Sequence, residues 1–257
     1  MSDPSESSDP SVLGGCEPLS AAGGDTGVLV LHGFTGCPQS MRGLAEAFAA
    51  AGHTVEMPLL PGHGTSVDDM ITTGWADWSG AAEQAYQDLA ARCPQVVVAG
   101  LSMGGALTLW LASRHPGIAG IVCVNPIVDV GADIVALARD MLDGGQDRIP
   151  AIGGDVADPD SRESAYDAAP LAPLLSLAEG TDALRADLGK ITSPLLLLNS
   201  PQDHVVAPAN AETVADGVTG PVERVTLERS YHVATVDYDA PLIEAESVAF
   251  AGRCFAG

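Results

Sequence analysis

The stretch Gln95-Val96-Val97-Val98-Ala99-Gly100-Leu101-Ser102-Met103-Gly104-Gly105 decides the fold. Its first seven residues form a short apolar run, the pattern of a strand buried on both faces. The apolar character continues past it and predicts a helix over 103–115. At the junction stands G-x-S-x-G, read here as Gly100-Leu101-Ser102-Met103-Gly104. Composition alone would place such a pentapeptide in roughly one chain in five. Its specificity comes from the strand-to-helix position. A sharp turn there holds the serine in a strained backbone conformation and lifts Oγ above the sheet. Flanking glycines remove side chains that would clash, and the helix N-terminus adds a positive end for a developing oxyanion. Residues 93–113 carry no charge, yet Pro94, Gly100, Gly104 and Gly105 interrupt them, so they read as buried strand, turn and helix rather than a membrane span.

Outward from this stretch, short apolar runs alternate with amphipathic segments. Strands are predicted at 27–31, 53–59, 118–124, 194–199 and 222–227, with an edge strand near 17–21. Helices are predicted at 40–51, 75–93 and 241–250. Strands joined through helices imply an α/β fold: a mostly parallel sheet with helices on both faces. The interval 126–190 breaks the rhythm. It shows no convincing strand, only helical patterns at 130–142 and 168–177. It is expected to form a small inserted cap over the C-terminal edge of the sheet, where ligands bind in open α/β sheets. The plainer alternative is a pair of ordinary crossover helices. Residues 1–13, rich in Ser, Asp and Pro, read as a flexible tail, and 14–257 as a single domain.

A chain of 257 residues, 46% of them hydrophobic, fits one domain with a substantial core and excludes a disordered chain. Acidic residues number 34 and basic ones 11, giving a formal charge of −23. Such a surface repels phosphate, which argues against nucleic-acid binding and against anionic membranes. It also suits a salt-exposed source. The five cysteines are odd in number and lack C-x-x-C spacing, so neither a disulfide framework nor a zinc site is expected. The first cation is Arg42, leaving no positive n-region of a signal peptide, and a cytoplasmic location is expected.

A serine hydroxyl needs a base. Six histidines are available: 32, 53, 63, 115, 204 and 232. His53 opens a strand and His115 closes a helix, and both read as structural. His32 and His63 lie in glycine-rich loops and read as loop-shaping. Serine hydrolases built on such an elbow run serine, acid, histidine along the chain, and that order selects His232. Asp203 follows the apolar run 195–199 and is the expected acid, fixing the imidazole tautomer. Asp129, Asp237 and Asp239 are its rivals, with solvated or helix-capping roles as their alternative reading. The oxyanion needs two backbone N–H donors: Met103, after the nucleophile, and Phe34, in Leu31-His32-Gly33-Phe34-Thr35-Gly36.

Five motifs together resemble those of bacterial monoacylglycerol lipases and the similar thermostable carboxylesterases. They are the Leu31–Gly36 loop, Pro61-Gly62-His63-Gly64-Thr65, the serine elbow, Asp203-His204-Val205-Val206, and Ser230-Tyr231-His232-Val233-Ala234-Thr235. The resemblance implies the α/β-hydrolase fold, no cofactor and no metal, and hydrolysis of monoacylglycerols to fatty acid and glycerol. It carries the triad onto Ser102, Asp203 and His232 and the oxyanion donors onto Phe34 and Met103. It also matches Ile152-Gly153-Gly154-Asp155 and Arg162-Glu163-Ser164-Ala165-Tyr166 to a cap segment, with Glu163 as the carboxylate that meets glycerol hydroxyls. Spacing alone reads Glu163 as a solvated helix residue. Ile149, Ile152, Leu171, Leu174 and Leu175 are the expected acyl-chain contacts.

The expected activity is therefore that of a serine ester hydrolase acting on a small-molecule ester, with monoacylglycerol preferred. A general carboxylesterase for short to medium-chain soluble esters is the nearest alternative. A cofactor-free haloperoxidase or perhydrolase on the same triad, and a non-catalytic binder on the same fold, are more distant.

Overall fold

The computed structural model describes residues 11–151 and 154–256. Seven strands form the main sheet: β1 (Leu19–Ala21), β2 (Thr26–Leu31), β3 (Thr54–Met57), β4 (Gln95–Leu101), β5 (Gly120–Val124), β8 (Leu195–Asn199) and β9 (Val222–Thr226). Two further strands, β6 (Arg148–Pro150) and β7 (Ala168–Pro170), pair antiparallel with each other, away from that sheet. In the main sheet the order is β1-β3-β2-β4-β5-β8-β9, and only the β1–β3 pairing is antiparallel.

Each central strand is apolar on both faces because both are covered. Alternation then sorts residues by partner rather than by exposure. Val28, Val30, Val97, Ala99, Leu101, Leu196 and Leu198 pack with Leu44 and Phe48 of helix α1 (Arg42–Ala50) and Ile243 and Phe250 of α8 (Ala240–Ala256). Leu29, Leu31, Val96, Val98, Leu195 and Leu197 face the other way. They meet Trp78 and Leu89 of α3 (Trp75–Ala90), Leu107 and Leu111 of α4 (Met103–Arg114), and Leu177 and Leu184 of α6 (Leu171–Asp187). Each fully buried side chain of this size contributes about 1.5–3 kcal/mol of transfer free energy. Helix α4 is buried nearly all round, which explains its lack of charge until Arg114.

The chain leaves β2 for β3 on one side and leaves β4 for β5 on the other. The order thus reverses between β2 and β4, and a crevice opens at their C-terminal ends. Register brings those ends level: Leu31 pairs with Gly100, Leu101 with Val124, Val124 with Leu198 and Asn199 with Thr226. Ser102, Asn125 and Ser200 therefore leave the sheet along one edge.

Several expectations need correction. The interval 126–190 does contain strands. β6 and β7 have three residues each and include prolines, too short for any periodicity to betray them. Of the two predicted helices, the first is α5 (Ala132–Asp143). The second starts three residues later than expected, at Leu171, and runs on to Asp187, where Leu177 and Leu184 join the core. That stretch is a crossover helix leading to β8. Two short helices, α2 (Val67–Met70) and α7 (Ala209–Gly217), were not anticipated. The absence of a disulfide framework is overturned by a Cys16–Cys37 bridge. Sequence gave no sign of it because the partners lie 21 residues apart with no repeating pattern. The pairing of β1 with β3 carries Cys16 to the loop that follows β2. Leu13, within the expected tail, donates its N–H to Gly64 O at 2.8 Å.

Candidate active site

Ser102 sits between β4 and α4 with φ +56° and ψ −115°, a region that L-residues occupy only under constraint. The constraint is close packing. A Cβ on Gly100 would stand 2.1 Å from Gly104 O, and one on Gly104 would stand 2.0 Å from Leu31 O, so neither position can carry a side chain. Ser102 N–H donates to Val124 O at 3.0 Å, and Ala106 N–H donates to Ser102 O at 3.0 Å. These bonds fix the turn to β5 and to the helix below. Ser102 is 7% exposed, and Oγ makes no hydrogen bond to any described residue.

His232 and Asp203 meet. The His232 imidazole donates from Nδ1 to Asp203 Oδ2 at 2.7 Å, with side chains 8% and 2% exposed. Asp203 Oδ1 accepts from Val205 N and Val206 N at 2.8 and 2.7 Å, so its carboxylate is held in one orientation. The rival acids are engaged elsewhere. Asp129 is exposed and paired with Arg185. Asp237 accepts four backbone N–H groups, from Ala157, Asp158, Tyr231 and Tyr238. Asp239 accepts from Arg229 N.

The other histidines are accounted for as well. His32 donates from Nδ1 to Gly33 O and accepts from Leu60 N at Nε2, joining two loops. Burial lowers its pKa to about 4. Burial, reinforced by His32 at 5.0 Å between ring centres, lowers His63 to about 3. Both are neutral at ordinary pH. His53 meets Thr26, His115 meets Glu83, and His204 meets Asp155.

The loop after β2 closes over the serine, with the Gly33 Cβ direction pointing 3.5 Å from Ser102 Cβ. Phe34 N–H and Met103 N–H donate to no described residue, so both remain free for an incoming oxygen. Glu163 lies against this loop; a Cβ on Gly36 would be 2.8 Å from its Oε1. Its carboxylate accepts no hydrogen bond from a described residue. Burial raises its pKa to about 7, with His232 acting in the opposite sense. Ile149 is on β6, Leu171 is fully buried at the start of α6, and Leu174 and Leu175 are half-buried one turn on. Ile152 lies outside the described residues.

Sequence reasoning missed Asn125. Its Oδ1 accepts from Ser200 N at 2.7 Å, and its Nδ2 donates to His232 O at 2.8 Å and to Ser200 Oγ at 3.1 Å. One buried amide thus ties β5 to the loops bearing Asp203 and His232. A polar residue ending a fully buried strand at the site edge was the available signal. Also unanticipated is Tyr166, whose hydroxyl accepts from Thr65 N and donates to Gly62 O, both at 2.9 Å.

Residues 25–239 match the family described as serine aminopeptidase, S33. The chain is 48% identical over 242 residues to the thermostable monoacylglycerol lipase of Bacillus sp. (strain H-257), covering 93% of this chain and 95% of that one. It is 26% identical over 236 residues to a carboxylesterase of Bacillus subtilis (strain 168), covering 91% and 95%. A solved structure from the metagenome-derived lipolytic enzymes LipS and LipT superposes with a TM-score of 0.91 at 41% identity, covering 95% of this chain and 100% of that one. The α/β-hydrolase fold is shared throughout.

Proposed function

The chain belongs to the serine aminopeptidase S33 family, and from that premise we propose that it is a serine ester hydrolase cleaving monoacylglycerols to fatty acid and glycerol. The observation that carries the chemistry is the buried His232–Asp203 bond at the sheet edge shared with the strained Ser102. With Nδ1 committed to Asp203, Nε2 holds the lone pair that accepts the Ser102 proton. Ser102 Oγ attacks the ester carbonyl, and the oxyanion forms facing the free N–H groups of Phe34 and Met103. His232 returns the proton to the leaving glycerol oxygen. A water, deprotonated by the same imidazole, then cleaves the acyl-enzyme. Similarity to the Bacillus lipase supports monoacylglycerol as the substrate. Glu163, with its unbonded carboxylate beside the oxyanion loop, fits a role toward the glycerol hydroxyls. The apolar residues Ile149, Ile152, Leu171, Leu174 and Leu175 are assigned to the acyl chain, under a cap formed within 126–190.

The test is Ser102→Ala. It should fold as the wild type does, lose covalent labelling by a fluorophosphonate, and lose turnover of monoacylglycerol by several orders of magnitude. Wild-type ester hydrolysis in that variant would refute the reading. The likeness to the Bacillus subtilis carboxylesterase supports the alternative of general soluble esters. Comparing a monoacylglycerol with the ethyl ester of the same acid separates the two.

A charge of −23 supports a small neutral substrate over nucleic acid. Among the described residues no helix is long and apolar enough to cross a membrane. A cytoplasmic location goes with this reading, and the Cys16–Cys37 bridge sets its test, since cytosolic thiol pools keep such bonds rare. Alkylation at the moment of lysis should find both thiols free in a cytosolic enzyme and protected in one exposed to an oxidising compartment.

A further inference from the structure

We propose that Asp155 is a positioning residue for the acid–base pair, holding the loops of His232 and Asp203 in register from the cap side; the inference rests on the triad reading above. Asp155 Oδ2 accepts from two backbone N–H groups, those of His232 and His204, each at 3.1 Å. The first belongs to the base itself and the second to the residue after the acid. Oδ1 accepts from His204 Nδ1 at 2.8 Å, and the Asp155 carbonyl accepts from Val233 N at 3.0 Å. A single side chain, 9% exposed, therefore binds both triad loops, which also meet through the His232–Asp203 bond, through Asn125 and Ser200 on the sheet side, through Gln202 Nε2 donating to Glu228 O, and through the His204 and Tyr231 rings. A carboxylate suits this place because it is acceptor-only at every lone pair, and bonds from N–H to an anion are stronger than neutral ones.

Asp155 also lies within the interval 126–190, not in the sheet. Its neighbour Gly154 packs so closely on Glu163 that a Cβ there would be 2.9 Å from Glu163 Cβ. On the opposite side Asp237, five residues beyond the base, accepts from Ala157 N and Asp158 N. The segment and the His232 loop thus clasp each other in both directions. The imidazole's placement depends on that segment staying seated, and Asp155 is the residue of that segment whose side chain reaches both triad loops.

The experiment measures kcat per active site counted by fluorophosphonate titration, using a water-soluble p-nitrophenyl ester. Asp155→Ala should lower kcat per titrated site about 10- to 100-fold with KM within about twofold, since misplacement near 1 Å costs that much. Asp155→Asn keeps a carbonyl acceptor for the two N–H groups and should stay within about fivefold of wild type. If the alanine variant does not fold, Asp155→Ser, whose hydroxyl cannot reach both N–H groups, carries the same expectation as alanine. A role confined to stability would lower the titrated fraction and leave kcat per site at the wild-type value. That result in Asp155→Ala or Asp155→Ser, with labelling abolished in Ser102→Ala, would overturn the proposal alone. Labelling that persists in Ser102→Ala would overturn the triad reading and this proposal with it.

Discussion

Asn125 Nδ2 donates to the backbone carbonyl of His232 across 2.8 Å, joining the end of a central strand to a residue 107 positions later. The same amide accepts from Ser200 N, and Asn125 takes φ +43°, a left-handed conformation that asparagine tolerates better than most residues. Asn125→Ala leaves a buried N–H and a buried carbonyl without partners and should destabilise by on the order of 2 kcal/mol. Urea unfolding monitored by tryptophan fluorescence checks this. Asn125→Asp keeps the acceptor for Ser200 N yet puts a negative charge against the His232 carbonyl, so it should be no more stable than the alanine variant.

Glu163 gives a pH-dependent stability. Burial raises its pKa from 4.5 to about 7, so the folded state binds a proton more tightly than the unfolded chain does. Its favourable contribution is present in full below about pH 4.5 and is lost as pH rises to about 7, where the buried carboxyl must ionise. His232 and the loop after β2 face it from the neighbouring segments. Glu163→Gln, neutral throughout, should be more stable than wild type at pH 8 by on the order of 2 kcal/mol and nearly equal at pH 5. Urea midpoints of both proteins at pH 5 and pH 8 decide it, and parallel midpoints would show that the group is not titrating in that window.

The parts of the fold readable in advance were those where one physical signal dominates. β4 spans the same residues in sequence and in structure because an apolar run ends abruptly at a glycine turn, and α4 differs by a single residue. The Ser102, Asp203 and His232 candidates were legible from chain order and from their places after strands. The cap was not. β6 and β7 are three residues each, held by pairing with each other rather than by a pattern within either. Asn125, Asp155 and Asp237 act through backbone N–H and carbonyl groups of distant loops, and no spacing in a single sequence encodes such partners. The disulfide escaped for the same reason, since Cys16 and Cys37 become neighbours only once β1 pairs with β3.

That disulfide closes a loop of 21 residues containing β1, β2 and the loop that follows β2. Crosslinking a loop of this length restricts the unfolded chain by about 3 kcal/mol in the chain-entropy account. The double variant Cys16→Ser/Cys37→Ser should lose a comparable amount. The wild type in excess reductant should behave like the variant, while the variant itself should not respond to reductant. Thermal unfolding with and without a phosphine reductant provides the comparison. Both sulfurs are buried, so reduction should be slow in the native state and complete only under conditions that open the N-terminal segment.

The backbone of Ser102 stores strain that the fold around it must hold. At φ +56° and ψ −115° a side chain costs on the order of 1–3 kcal/mol, and glycine avoids most of that cost. Glycine also enlarges the conformational freedom of the unfolded chain, which offsets about 0.5–1 kcal/mol. Ser102→Gly should therefore be more stable than Ser102→Ala by about 1 kcal/mol. The alanine variant keeps the Cβ and the strain, so it isolates the hydroxyl, and the difference between the two isolates the backbone. Paired urea titrations of the two variants measure that difference directly. Equal midpoints, or alanine the more stable, would mean that the elbow is relaxed and that the glycines at 100 and 104 serve close packing alone.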